Sequence, residues 1–122
     1  LWRKNREKRQ KYFIPTEEEM LKYRPLRAKY SWKTNEDGLV EIKIPKFNSK
    51  IGKSFCNLVR KENYFIATMD KIGTIVWKNS NGKKTVKEIL DQIIKSFPSE
   101  DNLDQRLYLF LQQMKNLDYI YL

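Results

Sequence analysis

Apolar and polar positions change period along this chain. From Leu26, Ala28, Tyr30 and Trp32 alternate with Arg27, Lys29 and Ser31, the two-residue rhythm of a half-buried strand. Asn35-Glu36-Asp37-Gly38 supplies turn residues, and Val40, Ile42 and Ile44 then alternate again, which predicts a hairpin. Tyr64 to Thr68 predicts a third strand, bounded by Glu62-Asn63 and Asp70. In between, Pro45 interrupts the second strand near its end and Phe47 to Lys53 reads as an irregular loop. Phe55, Leu58 and Val59 suit either a short helical turn or a bent strand packed on the sheet.

Beyond Asp70 the period lengthens to three and four residues. Asp70 suits an N-cap, and Ile72, Ile75 and Val76 share a face with Trp77 beside them. Asn79 to Gly82 breaks that helix, with Gly82 suited to a left-handed conformation. Thr85 and Glu88 form a capping box ahead of a stripe of Val86, Ile89, Leu90, Ile93, Ile94 and Phe97, which Pro98 stops. A third long helix carries Leu103, Leu107, Phe110, Leu111, Met114 and Leu117, with Glu100, Asp101 and Asp104 at its start, and Tyr119 to Leu122 suits a short strand. Near the N-terminus, Pro15, Thr16 and the acids Glu17 to Glu19 predict a connector helix over residues 16–23.

A chain of 122 residues has room for one small domain. Its net charge of +10 is unevenly placed. Residues 1–11 hold six basic residues against one acid, and 12–37 balance five against five. Residues 38–68 hold six against two, and 69–122 eight against seven. The excess therefore sits in a basic N-terminal tail and in the first half of the domain. The tail has no hydrophobic period and is expected to be extended, with a weak hold on anionic membrane or RNA phosphates within its reach.

Enzymatic chemistry has little to work with. There is no histidine, one cysteine and four glycines, so general-base catalysis by imidazole, a zinc set and a phosphate-cradling loop are all disfavoured. Cys56 reads as a small buried hydrophobe, and no cofactor or metal is expected. No apolar run approaches the roughly 20 residues that span a bilayer and no signal peptide pattern is visible, so a cytoplasmic location is expected.

Three strands followed by three helices, the first two joined by a small turn, predict an α+β fold. The expected form is a winged helix-turn-helix, a three-stranded antiparallel sheet followed by a three-helix bundle. It would occupy residues 24–122, after a tail and connector over residues 1–23. Within it, Met69-Asp70-Lys71-Ile72-Gly73-Thr74-Ile75-Val76-Trp77 and Asn81-Gly82-Lys83-Lys84-Thr85-Val86-Lys87-Glu88-Ile89 carry a resemblance. They are similar to the family of pyrroloquinoline quinone biosynthesis protein D. Its members pair a helix bearing leucine-aspartate, glycine and tryptophan with an Asp-Gly-x-x-Thr-Val-x-Glu-Ile turn and helix. Phe110-Leu111-Gln112-Gln113-Met114 and Tyr119-Ile120 fit the family's last helix and short apolar strand, while Met69 and Asn81 replace its leucine and aspartate.

The resemblance implies a peptide chaperone, or recognition element, for ribosomally synthesised and modified peptides. Such a domain is not an enzyme. It holds the leader segment of a precursor and presents it to a modifying enzyme, often a radical S-adenosylmethionine protein. Strand addition is the expected means, because an edge strand offers unpaired N–H and C=O groups to an extended peptide. The expected edge is Tyr64, Phe65, Ile66, Ala67 and Thr68, and the groove wall is the third helix. There Arg106 would pair with an acidic leader residue, Phe110 and Met114 would take apolar anchors, and Gln113 would bond the peptide. Phe110 and Met114 equally suit the core, and Arg106 a solvated surface. The competing class is nucleic-acid binding by the tail and strands; the acids at the start of the third helix disfavour groove reading there. Monomer and homodimer are both open.

Overall fold

Capping side chains mark three of the four helix starts among the described residues. Thr16 opens α1 (Glu17–Lys22) with a reciprocal capping box to Glu19, as its sequence predicts. The computed structural model describes residues 15–45, the backbone of 56–60, and residues 64–122. The basic tail, the loop at Phe47 to Lys53 and the side chain of Cys56 lie outside the described residues. From α1 the chain runs through β1 (Leu26–Arg27), β2 (Ser31–Thr34), β3 (Val40–Pro45), β4 (Cys56–Arg60) and β5 (Tyr64–Met69). Three helices follow, α2 (Lys71–Asn79), α3 (Val86–Ser96) and α4 (Leu103–Asn116), and β6 (Ile120–Tyr121) ends the chain. The protein is α+β.

The hairpin forms where alternation placed it. Gly38, at φ +78°, donates its N–H to Asn35 O, and Asn35 N–H in turn bonds Leu39 O at 2.8 Å. That turn sets β2 against β3 with Trp32 opposite Ile42 and Thr34 opposite Val40. Val40, Ile42 and Ile44 are fully buried, while Glu41 and Lys43 lie on the other face. Pro45 closes β3 at no loss of a ladder bond to β2, because β2 has already ended opposite Lys43.

Two expectations for the strands are corrected. The run from Ala28 to Trp32 is not one strand: Ala28 N–H bonds Tyr119 O, Tyr30 N–H bonds Ala28 O, and the chain bends between β1 and β2. The Tyr30 ring packs edge-on against Tyr119 at 5.1 Å, so β1 joins β6 in a separate two-stranded sheet. The main sheet has four strands, not three, in the order β2-β3-β5-β4. Its extra member is Cys56–Arg60, which pairs antiparallel with β5.

Helices cover one face of this sheet. Asp70 caps α2 through Gly73 N–H, and the Thr74 hydroxyl accepts from Val40 N–H at 3.0 Å, tying the helix to the start of β3. Arg27 reaches the other end of α2 and donates to Trp77 O, which also accepts from Ser80 N–H, and to Lys78 O in the same last turn. Thr85 and Glu88 form the predicted box on α3, whose buried stripe is Val86, Ile89, Leu90 and Ile93; Ile94 is exposed, against expectation. These side chains meet Val76, Trp77, Leu107, Leu111 and Ile120 in one core under the sheet. The third long helix begins at Leu103, so Glu100 and Asp101 precede it, and Asn102 enters it with a left-handed φ of 56°.

Candidate functional site

The strand expected to be free is the best-covered one in the sheet. Tyr64–Met69 pairs with β3 on one side, where Ile42 faces Ala67, and with β4 on the other, where Leu58 faces Ala67. Its main-chain groups are therefore engaged by the protein's own strands, and the expected edge at Tyr64 to Thr68 is corrected. Strand order causes this: the segment at Cys56–Arg60 adds to β5 on the side away from β3.

The expected contact residues divide between two faces. Ala67 is buried and Phe65 packs against the core, on the side where Phe110 and Met114 are also buried. Both α4 side chains are thus packing residues, and the apolar anchors expected of them are filled by the protein itself. Tyr64, Ile66 and Thr68 alternate with Phe65 and Ala67 and point to the opposite face, which is bare among the described residues. Arg106 lies on the exposed face of α4, paired with Glu100 at 2.9 Å, and Gln113 is partly exposed on the same helix. The structure does not gather these nine residues into one groove.

It does form a cleft on the bare face. Tyr64 and Ile66 meet Ser31, Trp32, Lys33, Glu41 and Lys43 around a hollow of about 240 Å³. A second hollow of about 450 Å³ shares Ser31, Lys43 and Tyr64 and extends to Lys29, Tyr30 and Pro45. The Lys43 ammonium lies 4.2 Å from the centre of the Tyr64 ring, a cation–π contact that holds the phenol in place. Glu41 accepts from the Asn35 amide at 3.1 Å, so its charge is partly committed to the hairpin turn. Lys33 and Lys43 were not singled out from sequence as site residues. Their signal was present nonetheless: Lys43 alternates with buried Ile42 and Ile44, and Lys33 lies on the strand that the legible turn joins to it.

Among the described residues, a free margin runs beside this cleft. β2 is paired with β3 and stands at the end of the sheet. The Asn35–Leu39 bond sets the phase of the ladder, so Ser31 and Lys33 direct their N–H and C=O groups at β3. Those of Trp32 and Thr34 face outward. Trp32 is 38% exposed, its ring standing edge-on to buried Trp77 at 6.4 Å with the Arg27 guanidinium 5.2 Å from its centre. A short extended segment laid on this margin would find main-chain partners, an indole and two lysines.

Among the described residues no helix is long and apolar enough to cross a membrane, and no cluster of three or more acidic, cysteine or histidine side chains is placed to hold a metal ion. The family model described as coenzyme PQQ synthesis protein D matches residues 58–120, just over half of the chain. No curated protein and no solved structure matches it.

Proposed function

Because this chain belongs to the family of coenzyme PQQ synthesis protein D, we propose that it is a non-catalytic accessory of peptide-modifying biosynthesis. It holds a precursor peptide in extended form and presents it to the modifying enzyme, a radical S-adenosylmethionine protein being the class in view. In this reading the fold is a winged helix-turn-helix: α2, the turn at Asn81–Gly82 and α3 are the helical motif, and the antiparallel strands are the wing. The work is done in the cytoplasm, without a cofactor.

The observation that carries the proposal is a sheet covered by helices on one face, with a cleft on the other and an open margin at Ser31–Thr34. A micromolar complex needs about 8 kcal/mol net. A few main-chain bonds at roughly 1 kcal/mol each, with one or two side chains settled on Trp32 and in the cleft, supply that order of magnitude. Tyr64, Ile66 and Thr68 keep a contact role through their side chains rather than their main chain. Arg106 and Gln113 remain candidates on the outer surface of α4.

The test is a titration of the isotopically labelled full chain with the synthetic leader segment of the precursor encoded beside it. Saturable amide shifts at residues 31–34 and 64–68 are expected, with 103–116 reporting on Arg106 and Gln113. Absence of any saturable shift overturns the proposal. The lysines of the bare face favour a second reading, RNA held by strands and tail. That reading predicts affinity falling linearly with the logarithm of salt concentration.

A further inference from the structure

We infer that the peptide this protein holds is acidic on one side and apolar on the other, and that it adds to β2 as a fifth strand. The inference rests on the reading above and names its ligand class and position.

The phase of β2 dictates what an added strand meets. Trp32 and Thr34 offer it their N–H and C=O groups, while Ser31 and Lys33 keep theirs in the pairing with β3. A residue opposite Trp32 lies on the helix-covered side, with its Cβ about 5 Å away and the partly exposed indole as its neighbour. An apolar side chain suits that place. The residues before and after it turn to the bare face, beside Ser31 and Lys33, with Lys43 one strand further on.

Charge decides the second half of the pattern. Lys29, Lys33 and Lys43 border the two hollows against one acid, Glu41, whose carboxylate already accepts from Asn35. Among the described residues, none of the three ammonium groups has a carboxylate within 4.0 Å. Carboxylates facing this side therefore gain partners that the protein leaves open, whereas a lysine-rich strand meets like charge. A second copy of the chain fits poorly, because pairing β2 with β2 brings lysines of the same sign together. A nucleic acid would find Glu41 between the lysines and Glu36 and Asp37 exposed on the adjoining turn.

The test uses the full chain and three probes: a blocked Glu-Val-Glu-Val-Glu-Val-Glu peptide, its counterpart with lysine for glutamate, and an eight-nucleotide oligouridylate. The acidic peptide should bind with shifts at the Trp32 indole and the amides of 31–34, and the lysine peptide should bind at least about tenfold more weakly. Joint replacement Lys33→Glu with Lys43→Glu should invert that preference, while Lys33→Arg with Lys43→Arg keeps it. Thr34→Pro removes an outward donor but no bond to β3 and should loosen the acidic peptide about tenfold, its circular dichroism unchanged.

Equal affinity for both peptides overturns the inference, as does binding that leaves 31–34 unmoved, displacement of the acidic peptide by oligouridylate, or dimerisation through β2. If both test peptides fail but the precursor's leader segment binds, the inference falls and the proposed function stands. If the leader segment fails as well, both fall.

Discussion

Glu88 shows how a single side chain couples folding to pH. The Thr85 backbone N–H and then its hydroxyl bond the Glu88 carboxylate, with smaller help from Arg24 and Lys84, and hold it below the ordinary carboxylate range. A lowered folded-state value means that this stabilisation is present at neutral pH and is lost as pH falls through that value. Glu88→Gln should therefore flatten the acid limb of stability, measured by urea unfolding at neutral and acidic pH. Tyr108 works in the opposite sense: burial first, then the carboxylates of Glu17 and Asp104, raise its phenol. Its contribution is lost as pH rises through the alkaline range, and Tyr108→Phe should remove that loss. Gly82 sits at φ +79° with Leu26 Cδ1 only 3.4 Å from where a Cβ would stand, so Gly82→Ala should cost about 1 kcal/mol.

At the scale of elements, β2 makes a prediction that depends on ladder phase alone. Lys33 N–H faces β3 and Thr34 N–H faces outward, so Lys33→Pro should destabilise by about 1–3 kcal/mol more than Thr34→Pro, as denaturant midpoints will show. On α3, Ile89 is fully buried, and Ile89→Asp places an unpaired carboxylate in the core. A domain of this size has only about 5–15 kcal/mol of stability to lose, and the variant should be unfolded at room temperature by circular dichroism. On α4, Arg106 is exposed and its ion pair with Glu100 is solvated, so Arg106→Glu should change stability by less than about 1 kcal/mol. The helices were legible because caps and stripes are local: Thr16, Asp70 and Thr85 each announce a start within four residues. Ile94 departs from its stripe because the sheet and neighbouring helices leave that flank of α3 uncovered, which no local spacing can report.

For the molecule as a whole, three lysines and the face of the sheet away from the helices come together. Lys29, Lys33 and Lys43 border the hollows on that side, while the near-neutral helical half supplies the core beneath the sheet. Three elements of the expected site dissolved at this scale: a free margin at Tyr64 to Thr68, anchors at Phe110 and Met114, and a groove shared by strand and helix. Two others, Tyr64 and Ile66, line the hollow on the opposite face together with Lys33 and Lys43. From the sequence alone come the α+β class, the hairpin, the caps, the family and the absence of histidine chemistry, because each rests on residues within a few positions of one another or on composition. The tertiary structure alone decided, among the described residues, which strand ends the sheet and which face the helices leave uncovered. Strand order is set by backbone pairing between segments far apart in sequence, and a two-residue alternation reads the same in an inner strand as in an outer one.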